Sequence, residues 1–374
     1  MLLSIFGTPS PLTYWMLRAL EVVVRVVDPR AGFIRAGGLD ELSAAWQALD
    51  ERSREHVVFF SDYPETGITE LFVSAGVPII FVADEPGDLV SFILESRSVS
   101  VEEAIRFSSQ SLSALAALSE SPAVWNIRKD ACANRTEDQV RAIAEFFGLA
   151  PGEDQFDEIF RQLMTHDRGL SSVGDEIGKC VGVSHWPTEC RTLDEGPRYL
   201  TERILTPYQA VLRGEPLDRV HWPAEFFFNS DNPGSLLSGP QDLTGKARFL
   251  IHGPYLHLPR GKWKARVEIE VAENLSGNQI RSDVVSGGTV RLAAITAQLP
   301  RQGVFAFEIC FSVDEPLLPL EIRIQILEGA IEGVLLLRSV LFERQRDPLE
   351  MDRGHKRYFA IPSEMQMEFG ERVA

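Results

Sequence analysis

The sequence predicts an α/β domain built on a parallel sheet, followed by an antiparallel β-sandwich. Two observations predict it. Up to about residue 215, short apolar runs alternate with stretches of helical periodicity. After residue 220, the apolar residues recur at every second position instead. Strand–helix–strand repeats place helices on the faces of a parallel sheet, whereas period-two alternation marks strands with one buried face. A chain of 374 residues is also too long for one typical core.

In the first half, 2–6 reads as a buried strand and 14–27 as the helix after it. Residues 39–53 are helical, with Asp40 and Glu41 near the start. "HVVFFSD" (56–62) and "VPIIFVAD" (77–84) are β-branched and aromatic runs of strand length. Between them "PETGITELFVSAG" forms a helix that Gly76 stops. Pro86 opens the next helix, and helical segments at 101–119, 136–147, 153–165 and 198–212 complete the half.

In the second half, "KWKARVEIEVA" puts Ala265, Val267, Ile269 and Val271 on one face. "GVFAFEICFSV" and "LEIRIQIL" repeat the pattern, and turns such as "LPRGK", "SGG" and "PRQG" separate the strands. The expected division is 1–215, 221–345 and a charged C-terminal tail or surface wrap at 346–374, with the boundary in "RGEPLDRVHWPAE" (213–225).

The formal net charge of −17 makes nucleic acid and acidic membrane surfaces poor partners. Four cysteines (Cys132, Cys180, Cys190, Cys310) show neither metal-ligand nor disulfide-framework spacing. The start "MLLSIFGTPS" lacks a basic leader region, and no apolar stretch reaches spanning length. A cytoplasmic protein with no metal is the expectation; the oligomeric state is left open.

The chemistry centres on "LLSIFGTPSPLTYWMLRAL" (2–20), an apolar strand, a short turn and a helix. Such a turn binds phosphate because the first helical N–H groups and the helix dipole point into it. Here it offers the hydroxyls of Thr8, Ser10 and Thr13 but no Lys or Arg, and it does not fit G-x-x-x-x-G-K-[ST].

The order of motifs resembles the P-loop sulfotransferase family, which transfers a sulfuryl group from phosphoadenosine phosphosulfate. Its first turn has the form Y-P-K-S-G-T-T-W. Thr8-Pro9-Ser10-Pro11-Leu12-Thr13-Tyr14-Trp15 keeps the Pro, one Thr and the Trp. The family's next strand ends T-H-x-P with His as general base, and here it ends Ser61-Asp62-Tyr63-Pro64. A further strand leads to R-x-P-x-D-x-x-x-S, matched by "ADEPGDLVSF" with Pro86, Asp88 and, one place early, Ser91. "DQVRAIAEFFGLAPGEDQFDEIF" is similar to a later helix–turn–helix passage, so the resemblance covers residues 1 to about 165.

By that resemblance Asp62 is the catalytic base, and Thr8, Pro9, Ser10, Thr13 and Ser91 hold the donor phosphoadenosine phosphosulfate. The residues themselves also permit blander roles: an Asx-turn before Pro64 for Asp62, a helix cap for Ser10 and Thr13, and packing for Ser91. Three family cations are replaced, by Ser10, by Phe60, and by Ala83 or Asp84. Charge-assisted hydrogen bonds are worth about 1.5–3 kcal/mol each, so the loss is on the order of 5–9 kcal/mol before non-additivity. Half of that turns micromolar donor binding millimolar. Arg18, Arg25, Arg30, Arg97 and Arg106 are the cations that could fold back to compensate. A third arrangement has Asp62, Asp84 and Asp88 gathering a divalent cation.

"HGPYLHLPRGKWKARVEIEV" resembles the opening strands of jelly-roll carbohydrate-binding modules. That resemblance implies a glycan partner, with Tyr255, Trp263 and Trp222 as a stacking platform; core packing accounts for them equally. His252 and His257 read as paired sheet residues, and "SHWPTEC" (184–190) as a loop lining a crevice or a domain contact. No G-x-S-x-G elbow is present. The functional expectation is thus a sulfotransferase-like protein acting on a carbohydrate, divergent at its donor site. The alternative is a catalytically silent scaffold or a glycan- or protein-binding protein.

Overall fold

The structure, a computed structural model, describes residues 1–119, 121, 124–129, 133–163, 173 and 193–345. The first half holds five strands: β1 (Leu2–Gly7), β2 (Gly32–Arg35), β3 (Val57–Ser61), β4 (Ile79–Val82) and β5 (Val124–Ile127). They form a parallel sheet in the order β2-β3-β1-β4-β5. β1, β3 and β4 are the runs legible in the sequence, because a strand covered on both faces is apolar throughout. β2 and β5 are the sheet edges; each has four residues, only partly buried, and neither shows as a run.

The helices are α1 (Pro11–Val27), α2 (Leu39–Ala48), α3 (Thr66–Ala75), α4 (Pro86–Arg97), α5 (Val101–Ser119), α6 (Thr136–Phe146), α7 (Glu153–Leu163) and α8 (Glu195–Leu205). α3 ends where Gly76 takes φ 64, the left-handed conformation that suits glycine. The helix expected over 198–212 is split: α8 stops at Leu205, and Pro207 sits in the 3-10 turn Thr206–Tyr208 before the short helix Gln209–Leu212. Proline carries no N–H to continue the ladder. α1, α6 and α7 cover one face of the sheet through Leu12, Trp15, Met16, Ile143 and Ile159.

The second half folds into two antiparallel sheets. One runs β13 (Val290–Gln298), β12 (Gln279–Ser286), β15 (Leu320–Ile326), β9 (Arg248–His252), β7 (Phe228–Asn229), with β10 (Pro254–Leu256) also on β15. The other runs β14 (Gly303–Val313), β11 (Gly261–Ala272), β16 (Val334–Gln345), β6 (Arg219–Pro223), with β8 (Gln241–Asp242) on β16. The period-two faces predicted for β11 and β15 are the faces turned inward, with Ala265, Val267, Ile269 and Val271 all buried; on β14 Ile309 and Phe311 are buried, but Phe305, toward the start of the strand, is exposed.

The two halves share their apolar interior. One contiguous cluster runs from Phe59 and Phe72 through Leu112, Ile204 and Tyr208 to Trp222, Trp263 and Phe342. Helix α5 carries polar ties across the seam. Arg106 Nε donates to the Pro254 carbonyl at 2.9 Å, Ser109 Oγ lies 3.2 Å from His257 Nδ1, and Gln110 Nε2 donates to the Leu317 carbonyl at 2.9 Å. No helix among the described residues is long and apolar enough to cross a membrane. Cys132, Cys180, Cys190, the 184–190 loop and the 346–374 tail lie outside the described residues, and Cys310 is exposed and free.

Candidate functional site

Strand order decides where a site can form. β1 lies between β3 and β4; the chain builds β2 and β3 on one side of it and then crosses to β4 on the other, so the segments after β1, β3 and β4 meet at the carboxyl end of the sheet. Thr8–Ser10, Asp62 and Asp84 occupy those segments.

The first turn bonds to its own protein. The Thr8 amide donates to the Val82 carbonyl at 3.1 Å, and Thr8 Oγ1 accepts from the Asp84 amide at 3.4 Å. Ser10 is the N-cap of α1: its Oγ accepts from the Thr13 amide at 3.2 Å and donates to Thr13 Oγ1 at 3.1 Å. Pro9 and Pro11 contribute no N–H. Of the amides from residue 8 to residue 13, those of Ser10 and Leu12 are the ones left for a ligand. Thr8, Ser10 and Thr13 are fully buried. Gly7 permits this closure, because a Cβ there would sit 2.6 Å from Thr13 and 2.8 Å from the Val82 carbonyl.

Asp62, only 6% exposed, is held rather than idle. Its Oδ2 accepts from Arg35 Nη2 at 2.8 Å and from the Tyr14 hydroxyl at 3.2 Å, and Ser111 Oγ donates to its backbone carbonyl at 2.7 Å. Tyr14 is pushed up to about 12, first by burial and then by the Asp62 charge. Arg35 also lies over the Phe60 ring, 5.3 Å from its centre.

Asp84 is the opposite case. It is 2% exposed, and its Oδ2 has no hydrogen-bond partner among the described residues. Burial, then the charge of Asp88, raises it to about 6, against the pull of a Ser10 hydrogen bond and the Lys129 charge. Asp88, in the first turn of α4, is paired with Lys129. Ser91 follows one turn later on the same face, and its Oγ is buried without a partner among the described residues.

The cations paired with the carboxylates at this end are Arg35, on Asp62, and Lys129, on Asp88, both of which sequence reasoning missed. Both stand at or just beyond the carboxyl ends of the unrecognised edge strands β2 and β5, and recognising those strands would have found them. Arg25 and Arg106 are engaged elsewhere, Arg25 over Phe33 and Arg106 on the Pro254 carbonyl, while Arg97 lies over Phe107 and over Tyr63, the neighbour of Asp62. The acidic cation site also fails. Among the described residues, no group of three or more His, Cys, Asp or Glu is placed to hold a metal ion.

A second polar cluster lies on the β12–β15–β9 sheet. Asp283 accepts from Arg323 at 2.8 and 3.0 Å and from Arg291 at 3.1 Å. Tyr255 OH lies 2.9 Å from His252 Nδ1 and donates to Glu321 Oε1 at 3.3 Å. Burial, ahead of the Glu321 charge, raises Tyr255 to about 12, and burial also raises Glu321 and lowers His252. Tyr255 holds φ 66, a strained conformation for an aromatic residue. Phe228 stacks on His252 at 5.4 Å, and Arg323 lies 5.3 Å from the centre of Phe249, which is 41% exposed.

The stacking platform expected of Trp222 and Trp263 does not exist. Both indoles are fully buried; Trp222 packs on Phe342 at 4.1 Å, and Trp263 Nε1 donates to the Pro259 carbonyl at 2.9 Å. Period-two alternation puts position 263 on the inward face of β11 with Ala265 and Val267. His257 is likewise interior, and burial lowers it to about 3.

No protein-family model matches the chain, and no curated protein matches it. Solved structures similar to it include a mouse sulfotransferase, SULT7A1, complexed with PAP, at 12% identity and TM-score 0.32 over 54% of this chain and 88% of that one. The C-terminal CBM6 of LamC, a laminarinase from Zobellia galactanivorans, is similar over 34% of this chain and 100% of its own, at 12% identity and TM-score 0.23. The arabinose-bound α-L-arabinofuranosidase MgGH51 matches over 33% of this chain at 11% identity and TM-score 0.24, and this chain covers 23% of it. The strand order and registers by themselves fix the architecture: a parallel α/β half followed by a two-sheet antiparallel half.

Proposed function

We propose that this chain is a sulfotransferase-like protein directed at carbohydrate that does not turn over phosphoadenosine phosphosulfate at its first turn. The observation that carries this reading is the self-bonded turn. Two of its residues are prolines, two of its amides and all three of its hydroxyls have protein partners, and its nearest carboxyl, Asp84, is already unfavourable as an anion. A nucleotide bisphosphate would have to displace these bonds and enter beside carboxylates.

The Tyr255–His252–Glu321–Arg323 cluster is the better glycan candidate. It sets a half-buried hydroxyl, imidazole and guanidinium, backed by the buried Glu321 carboxyl, beside Phe249, the mix of apolar face and directed polar groups that a sugar ring needs. In this reading residues 1–215 and 221–345 work as one unit joined through α5.

The test is an assay of labelled sulfate transfer from the donor to a panel of glycans, run beside a glycan-binding array. No incorporation, with binding that Phe249→Ala abolishes, is the expected result. Incorporation above the blank overturns the donor half of the proposal, and a blank array overturns the glycan half.

A second reading keeps Asp62 as general base. Both of its side-chain hydrogen bonds fall on Oδ2, so Oδ1 is the oxygen positioned to take a proton from an acceptor hydroxyl. Incorporation that disappears in Asp62→Asn would establish it.

A further inference from the structure

The outward side of the sheet β13-β12-β15-β9 carries polar groups beyond the Tyr255 cluster. Ile280, Val284, Ile322 and Ile324 belong to the core, so the alternate positions of β12 and β15 face out. The registers align one row there. Thr296 on β13 is opposite Arg281 on β12, Arg281 is opposite Gln325 on β15, and Gln325 is opposite Phe249 on β9. Thr296 and Phe249 are exposed, and Arg281 and Gln325 are half-buried. Among the described residues the side chains of Thr296, Arg281 and Gln325 have no hydrogen-bond or ion-pair partner. The next row is closed instead: Asp283 is opposite Arg323 and holds both it and Arg291.

Charge and spacing say what the open row can hold. The chain as a whole is at −17, yet β12, β13 and β15 carry three arginines against two carboxylates, Asp283 and Glu321. Both carboxylates are buried, whereas the Arg281 guanidinium is within reach of solvent. A guanidinium presents a planar fork of donors that fits two oxygens of a carboxylate or a sulfate. Arg281 and Phe249 are two strand spacings apart, about 10 Å between Cα atoms. Arg323, tied to Asp283, lies 5.3 Å from the centre of the Phe249 ring and fixes it while leaving it open to solvent. A pyranose ring seated on Phe249 sets its substituents over Gln325, with Arg281 beyond them.

We infer that the sugar taken by this face is acidic: a pyranose whose carboxylate or sulfate ester is held by Arg281, with the Gln325 amide and the Thr296 hydroxyl beside it and the ring on Phe249. This ligand class rests on the glycan reading above and adds a charge to it. A neutral sugar leaves the guanidinium unpaired, and an acidic one gives it a charge-assisted hydrogen bond.

The test presents the full chain with an array of matched oligosaccharides, followed by titration of the best pair. Uronates such as oligogalacturonate stand beside their methyl esters, and sulfated galactans beside their desulfated forms. The expected result is binding about tenfold or more tighter for the charged member, the size of one charge-assisted hydrogen bond, and the pair that shows it tells carboxylate from sulfate. Arg281→Gln is expected to remove the preference and leave the neutral member's affinity unchanged, while Phe249→Ala weakens both. Should Arg281→Gln fail to fold, added salt reads the same contact by eroding the charged member's advantage alone. Equal binding of charged and neutral members, or a preference that survives Arg281→Gln, overturns the inference and leaves the glycan reading standing. A blank across every pair removes the glycan reading, and the acidic ligand with it.

Discussion

Asp62 and Asp84 follow the two strands that flank β1, at the same end of the same sheet, and both are nearly buried. Their chemistry differs because of one residue on an edge strand. Arg35 reaches Asp62 from the end of β2, while the cation nearest Asp84, Lys129, is taken by Asp88. Asp62 carries a guanidinium and a phenol on its carboxyl, whereas Asp84 keeps an unpartnered oxygen, and burial makes its charged form unfavourable. The positive charge bonded at this end, Arg35 and Lys129, serves the protein's own acids.

The largest expected effect comes from removing that stored cost. Asp84 rises from 3.8 to about 6 on folding, so the native state holds its proton more tightly than the unfolded chain does. This contribution to stability is full below about pH 4, falls as pH rises through 4 to 6, and stays lost above that. The difference is roughly 3 kcal/mol. Asp84→Asn is therefore expected to stabilise the protein at pH 8 by up to that amount and to leave it nearly unchanged at pH 4, as read by urea denaturation at both values. An equal effect at both would show that the carboxyl finds a partner.

Asp62→Asn is expected to act in the other direction, by about 1–2 kcal/mol, since it removes a charge-assisted bond to a guanidinium that is largely exposed. The same variant lowers the Tyr14 ionisation from about 12, but only part of the way to 10, because burial is the larger cause. Ultraviolet titration of the phenol reads this directly; an unmoved value would mean that Asp62 does not sense Tyr14.

Smaller still, Ser10→Ala removes the α1 cap and is expected to cost about 1 kcal/mol in thermal or chemical denaturation. Its sign matters more than its size. A destabilisation means the hydroxyl already serves the protein, while a neutral result would mean it was waiting for a ligand.

Much of this architecture was legible in the sequence. The central strands showed as unbroken apolar runs, and β11, β14 and β15 showed as clean alternations, because burial on two faces or on one imposes those patterns. The edge strands β2 and β5 were not legible, since four half-buried residues impose none. Missing them hid Arg35 and Lys129, and so hid the pairing that separates Asp62 from Asp84. The turn at 7–13 was legible as a turn, but its internal bonding was not, because Thr8 closes on Val82, 74 positions away. Trp263 could be placed by its period, whereas the Tyr255–Glu321 cluster joins strands distant in sequence and left no local sign.

The most direct measurement is a calorimetric titration of the full chain with adenosine 3′,5′-bisphosphate, the nucleotide left when the standard donor gives up its sulfuryl group. A turn whose Thr8 and Thr13 amides and three hydroxyls are already bonded within the protein predicts no heat of binding up to millimolar ligand. Micromolar binding that is lost in Ser10→Ala would contradict it and make the first turn an anion cradle.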